Sequence, residues 1–267
     1  MSQQPATQGL TLTSGESSLT IDANHGAALT ALVANGLELL VPANQDGPIW
    51  SGAFPMIPWA GLLRDASFDH QGIRYTVPAD WAPHALHGLL RTAPWSIQDT
   101  DGSAARLTSD LSRQWPLGGA ARLDVALADH ELSLRWSVTA GDSSMPCTIG
   151  WHPWFRRDLG QGGPLEVDLP ATAQWERDGD GIPTGRWRRP TSRPWDDSFL
   201  VAMPVTLRWP GALEVVMTGT SGVHSVYDGH ERGVVVATQS APHEVFGHLL
   251  EPGAALSLGI NLAWRRP

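Results

Sequence analysis

Four stretches of this sequence group side chains that could move protons beside rings that could hold a ligand. The first runs Phe54-Pro55-Met56-Ile57-Pro58-Trp59-Ala60-Gly61-Leu62-Leu63-Arg64-Asp65. The second is His84-Ala85-Leu86-His87-Gly88-Leu89-Leu90-Arg91, and the third is Gly150-Trp151-His152-Pro153-Trp154-Phe155. The fourth is Trp195-Asp196-Asp197-Ser198-Phe199. A histidine among aromatic walls and polar neighbours suits acid–base work, because its ordinary pKa lies near neutrality. His152 is the stronger candidate: Pro153 restricts the backbone beside it, and Trp151 and Trp154 flank it. His87 has the same chemistry open to it. Either ring could equally be a packed, hydrogen-bonded histidine with no catalytic part.

Rival chemistries fit less well. His84 and His87 stand three apart, which would suit a metal site on a helix, but Pro83 and Gly88 bracket them. No metal site is expected. There is no G-x-S-x-G elbow for serine hydrolysis and no glycine-rich phosphate loop. All 18 basic residues are Arg, so no lysine Schiff base can form. Cys147 is the single cysteine, which rules out an intrachain disulfide and a cysteine-built zinc site.

The elements that must carry these residues read as strands. Residues 10–12, 18–21, 122–127, 131–138, 165–169, 205–209 and 213–217 alternate apolar with polar. Residues 223–227, 234–237 and 255–263 complete the set. The Ala128-Asp129-His130 stretch predicts a hairpin between two of them. Residues 27–40 are Ala/Leu-rich, yet Asn35-Gly36 argues for a turn between two strands there. Twenty-eight Gly and 21 Pro punctuate the chain, and no window carries a capped helical stripe. The expectation is all-β: one large antiparallel sandwich over residues 1–267, with 160–164 and 178–183 as internal loops.

Composition narrows the partners. With 42% hydrophobic and 17% charged residues, the chain can bury a large core. A net charge of −9 argues against nucleic acid and anionic membranes. The polar N-terminus predicts no signal peptide, no apolar run predicts a membrane helix, and a cytoplasmic location follows as the expectation. Thirteen Trp against two Tyr and five Phe is unusual; most are expected to fill the core, and some could serve as platforms for the C–H faces of sugar rings. The oligomeric state is not readable.

Taken in order, the four stretches resemble the aldose 1-epimerase, or galactose mutarotase-like, family. The resemblance runs from Gly26-Ala27 through Pro58-Trp59-Ala60-Gly61-Leu62-Leu63-Arg64-Asp65 and Leu86-His87-Gly88. It continues through the His152 and Asp196 stretches to Leu250-Glu251-Pro252-Gly253. It implies a β-supersandwich with a concave cleft and the interconversion of α and β anomers of a free aldose, without metal or cofactor. In that chemistry a base takes the O1 proton while an acid protonates the ring oxygen. The ring opens, the aldehyde turns, and the other anomer closes. His152 matches the family's acid, His87 its substrate-orienting histidine, and Asp196 the carboxylate that accepts sugar hydroxyls, with Asp197 beside it. Arg64 matches an arginine that could contact the sugar; it could also pair with Asp65 or lie at the surface.

Two positions depart from the family pattern. The family's base is a Glu on a late strand, and the corresponding position here is Ala237; where many members carry an Arg, this chain has Leu62. Glu244, seven residues on, is the nearest replacement base, with Asp196 or Asp197 behind it. The alternative is a protein that binds a sugar on this fold and catalyses poorly or not at all. Arg156-Arg157 leaves a phosphorylated sugar open.

Overall fold

The computed structural model describes residues 9–43, 47–242 and 246–267, and nearly every element in it is a strand. Two large antiparallel sheets dominate. In the eleven-stranded sheet the order runs Gly9–Ser14, Ser17–Asp22, Ala28–Ala34, Ala53–Met56, Gly150–Arg156, Gly233–Gln239, Val223–Tyr227, Asp196–Val201, Ala171–Arg177 and Pro183–Arg188. Leu37–Glu38 pairs with Ala28–Ala34 off this path. The eight-stranded sheet is centred on Ala120–Ala128, Glu131–Thr139 and Ala255–Arg265.

The core lies between them. Alternation along Ala120–Ala128 buries Ala121, Leu123, Val125 and Leu127, and along Glu131–Thr139 it buries Leu132, Leu134, Trp136 and Val138. Leu19, Ile21, Trp151, Phe155, Val234 and Val236 join the same cluster from the larger sheet. Each such side chain contributes about 1.5–3 kcal/mol by leaving water. The hairpin expected at 128–130 forms with a tighter loop, since Ala128 pairs with Glu131 and only Asp129 and His130 turn. The turn expected at Asn35-Gly36 also forms, with positive φ at both residues.

Some strands escaped the sequence pattern. Ser96–Thr100, Ala104–Asp110, Ala171–Arg177 and Pro183–Arg188 carry polar or broken alternation, and Pro183 begins a strand rather than ending a loop. Asp69 and His70 belong to the strand Ser67–His70, and Gln71 and Gly72 turn before Ile73–Thr76. Two short ladders follow, this one and Leu62–Leu63 with Ala85–Leu86, and the second leads directly into His87.

Candidate active site

Five adjacent strands of the large sheet build the floor of a cleft. Their antiparallel register aligns outward-facing side chains into rungs across the sheet. Phe54 pairs with His152, Ala237 with Ser225, and Ser225 with Ser198. Gly150 pairs with Gln239 and Trp154 with Val235, and the same register sets His152 across from Ala237. One rung therefore reads Phe54, His152, Ala237, Ser225, Ser198. The next reads Trp154, Val235, Tyr227, Asp196. Residues of opposite parity on these strands, such as Trp151, Phe155, Val234 and Val236, face the core. That period of two explains why Gly150–Arg156 is buried on both sides.

Above the rungs is a cavity of about 300 Å³. Leu62, His87, His152, Trp154 and Asp196 all line it, so residues from all four sequence stretches converge, with Arg177 joining from outside them. The His152 ring stacks on Phe54 with centroids 4.6 Å apart and planes 11° from parallel, and the His87 ring lies 4.6 Å away on another side. Burial pushes the His152 imidazole down to about 3; its own backbone partly opposes this, and the charge of Arg91 lowers it further. At pH 7 His152 is neutral. Its Nδ1 has no hydrogen-bond partner among the described residues.

His87 is held by its backbone as well as its ring. Its N–H donates to Gly61 O at 2.8 Å, and its Nδ1 accepts the Gly61 N–H at 3.1 Å. An Nδ1 that accepts carries no proton, so the proton sits on Nε2 and the ring is a fixed donor. His87 adopts a positive φ of 58°, a conformation that costs energy for a non-glycine residue. Gly88 explains how this is tolerated. Its φ is +74°, and a Cβ there would sit 2.1 Å from Ile57 O, which instead accepts the Leu89 N–H at 2.7 Å.

The far wall is polar and open. Arg177 reaches Asp196 at 3.5 Å and, through Nε, Asp197 at 3.5 Å. The Arg177 side chain is 18% exposed and that of Asp196 69%. The Nε contact fails hydrogen-bond geometry, leaving that buried N–H without an acceptor. Between the walls, Gln239 Nε2 donates to Ser225 Oγ at 2.7 Å, and Ser225 Oγ meets Ser198 Oγ at 2.7 Å. Ser225 is the member of that buried trio that lines the cavity.

Of the residues singled out in the sequence, His87, His152, Trp154 and Asp196 meet at the cavity, together with Leu62 and Ala237, the two positions that depart from the family pattern. Trp154 also donates Nε1–H to Ile49 O at 2.7 Å and packs against Trp50. Arg64 is not among the lining residues. Its guanidinium holds Asp178 at 2.8 Å and Asp180 at 3.1 Å, fixing the loop whose Gly181 lines the cavity. Neither Arg156 nor Arg157 lines it, and the Arg157 guanidinium donates to the carbonyls of His230 and Asp228. Glu244 lies outside the described residues. Sequence reasoning missed Arg177, Ser225 and Tyr227. They sit on unremarkable strands, and the sole clue was the parity that aligns Ser225 and Tyr227 on one face of Val223–Tyr227. Among the described residues no group of three or more His, Cys, Asp or Glu is disposed to hold a metal ion.

Residues 8–246 match the pattern of the aldose 1-epimerase family. No curated protein matches the chain. Among solved structures, a galactose mutarotase-like protein from Clostridium acetobutylicum superposes with a TM-score of 0.87 at 15% identity, covering 98% of this chain and 96% of that one. The GalM/aldose epimerase homologue from C. elegans gives 0.80 at 16% identity, with 98% and 99% covered. A galactose 1-epimerase from Lactobacillus acidophilus NCFM gives 0.79 at 14% identity, with 100% and 97% covered. These likenesses establish the galactose mutarotase-like fold.

Proposed function

Because the chain belongs to the aldose 1-epimerase family, we propose that its cleft binds a free aldose and interconverts the α and β anomers by opening the ring. The observation that carries this reading is the pair of histidines 4.6 Å apart on an aromatic floor, facing a carboxylate across one cavity. His87, a fixed Nε2–H donor, orients the ring oxygen or a neighbouring hydroxyl. His152 is the acid for the ring oxygen. Asp196 takes hydroxyl hydrogen bonds and is, among the described residues, the carboxylate that lines the cavity, so the O1 proton falls to it. Trp154 offers an apolar wall to the C–H face of the sugar. No cofactor is invoked. The ligand is a small sugar rather than nucleic acid or membrane, and a cytoplasmic setting is part of the same reading. Among the described residues no helix is long and apolar enough to cross a membrane.

Acid catalysis needs a loaded proton. Burial holds the His152 imidazole neutral at pH 7, so few molecules carry it in the empty cleft. The proposed reaction is therefore slow at neutrality and accelerates as pH falls. Exchange between anomers, followed by proton NMR over a panel of free aldoses, tests it. A catalysed rate abolished in His152→Ala supports the reading, and a well-measured rate that survives that change removes it.

A specific observation favours a second reading, a sugar-binding protein with little or no turnover. Ala237 lines the cavity directly across from His152, and an Ala can take no proton. Sugar binding without any acceleration, measured by calorimetry beside the exchange experiment, selects this alternative.

A further inference from the structure

The side of the cleft that carries His87 is apolar. His87 follows directly on the ladder in which Leu62 pairs with Leu86, and both leucines line the cavity. The residues of that ladder, Leu62, Leu63, Ala85 and Leu86, include no polar side chain. The backbone of Leu86 is occupied as well. Its N–H donates to Asp80 at 2.9 Å, and its carbonyl accepts the Arg91 Nε–H at 3.3 Å. Across the cavity the lining is polar, with Arg177, Asp196 and Tyr227.

The leucines are fixed relative to the histidine. Gly61, next to Leu62, accepts the His87 N–H at 2.8 Å and donates its own N–H to His87 Nδ1 at 3.1 Å. Leu86 adjoins His87 in the chain. A ligand seated against His87 therefore has both leucines beside it at set positions. Both are half-buried, so each still has side-chain surface to offer a ligand. Leu62 is also one of the two lining positions that depart from the family pattern.

We propose that the cleft selects an aldose with no hydroxyl on carbon 6, a 6-deoxyhexose, and that Leu62 and Leu86 determine this choice. The inference rests on the reading of the cleft as an aldose site. In that reading the ring oxygen sits at His87 and His152, and the O1 hydroxyl turns to Asp196. The ring oxygen joins C1 to C5. With C1 turned to the polar wall, the substituent on C5 lies on the other side of the ring oxygen, against Leu62 and Leu86. A hydroxymethyl group there would bury its oxygen among leucine methyls, because the single Nε2–H of His87 is engaged by the ring oxygen. A hydroxyl that gives up water without a new partner weakens binding, whereas a methyl gains from the same contact.

Calorimetry on the full chain with matched sugars tests this: D-fucose against D-galactose, D-quinovose against D-glucose, and L-rhamnose against L-mannose. Within each pair the sugars differ only at C6. The 6-deoxy member of at least one pair should bind roughly five- to thirtyfold tighter. Leu62→Gln and Leu86→Gln each bring an amide to that wall and should cut the ratio roughly threefold or more, with melting temperatures close to that of the unaltered chain. Should a variant fail to fold, the pairwise comparison on the unaltered chain decides by itself. Equal or tighter binding of the parent hexose in every pair, or a ratio that neither folded variant changes, overturns the proposal and leaves the aldose site standing. If no aldose of the panel binds, both readings fall.

Discussion

The two walls of the cleft are built on opposite principles. On one side His152, Phe54 and His87 are packed ring against ring and buried. On the other, Asp196 and Arg177 form a long ion pair with the carboxylate largely in water. The buried wall sets the protonation of His152, because taking an imidazole out of water disfavours its charged form. In the proposed reaction the open wall would decide recognition, since a charged donor and acceptor side by side suit neighbouring sugar hydroxyls. Ala237 stands in the rung between them, where a longer acidic side chain would join the two walls electrically.

The sharpest way to break this contrast is to supply the missing charge. Ala237→Glu places a carboxylate on the strand position facing His152, where it can take the O1 proton and raise the imidazole pKa. The anomer exchange rate at pH 7 should rise roughly 10²–10⁴-fold; no gain would mean the walls are not coupled through this position. In the unaltered chain, the rate dependent on His152 should climb about tenfold per unit as pH falls from 8 to 6, as expected for an acid with a pKa near 3. A rate that is flat over that interval assigns the acid elsewhere.

Smaller effects probe each wall separately. Gly88→Ala forces a Cβ against Ile57 O at a positive φ, and should destabilise the chain by about 2 kcal/mol or more in urea unfolding while displacing His87. On the open wall, Asp196→Asn should weaken aldose binding roughly fivefold to thirtyfold, the value of one or two charge-assisted hydrogen bonds, with little change in stability. Calorimetry and a thermal melt read both. A large loss of stability instead would make Asp196 structural.

Buried histidines also leave a mark on stability. His224, between the sheets against Thr238, is pushed down to about 4 by burial, and His152 to about 3. Both folded-state values lie below the unfolded value near 6.5, so the unfolded chain binds more protons between these limits. Their contribution is fully present above about pH 7 and is lost as pH falls below 6.5. His224 alone accounts for on the order of 3 kcal/mol by pH 4. The urea midpoint should drop between pH 7.5 and 5, and His224→Gln should flatten that slope; a midpoint independent of pH would contradict the assignment.

Much of this was legible in the residues themselves. The strands Val205–Trp209 and Val223–Tyr227 fall where alternation puts them, and the order of the histidine and Asp196 stretches carries the family resemblance. Arg177 was not legible, because its strand opens on a register shift and its partner, Asp196, lies 19 residues away. Arg64 carried the right chemistry to touch a sugar, yet Asp178 and Asp180, more than a hundred residues on, hold its guanidinium.

The sequence by itself determined the all-β class, the parity of the strands that alternate, the identities of His87, His152 and Asp196, and the presence of Ala where the family pattern has Glu. The class and the parity follow from local periodicity, which needs no partner to be read, and the site residues from the family resemblance. Only the tertiary structure decided that His152 faces Ala237, that Gly61 fixes the tautomer of His87, and that Arg177 sits beside Asp196. Those facts depend on register between strands distant in sequence and on how far each group is removed from water. Both are set by the packing of the whole sheet rather than by any one segment.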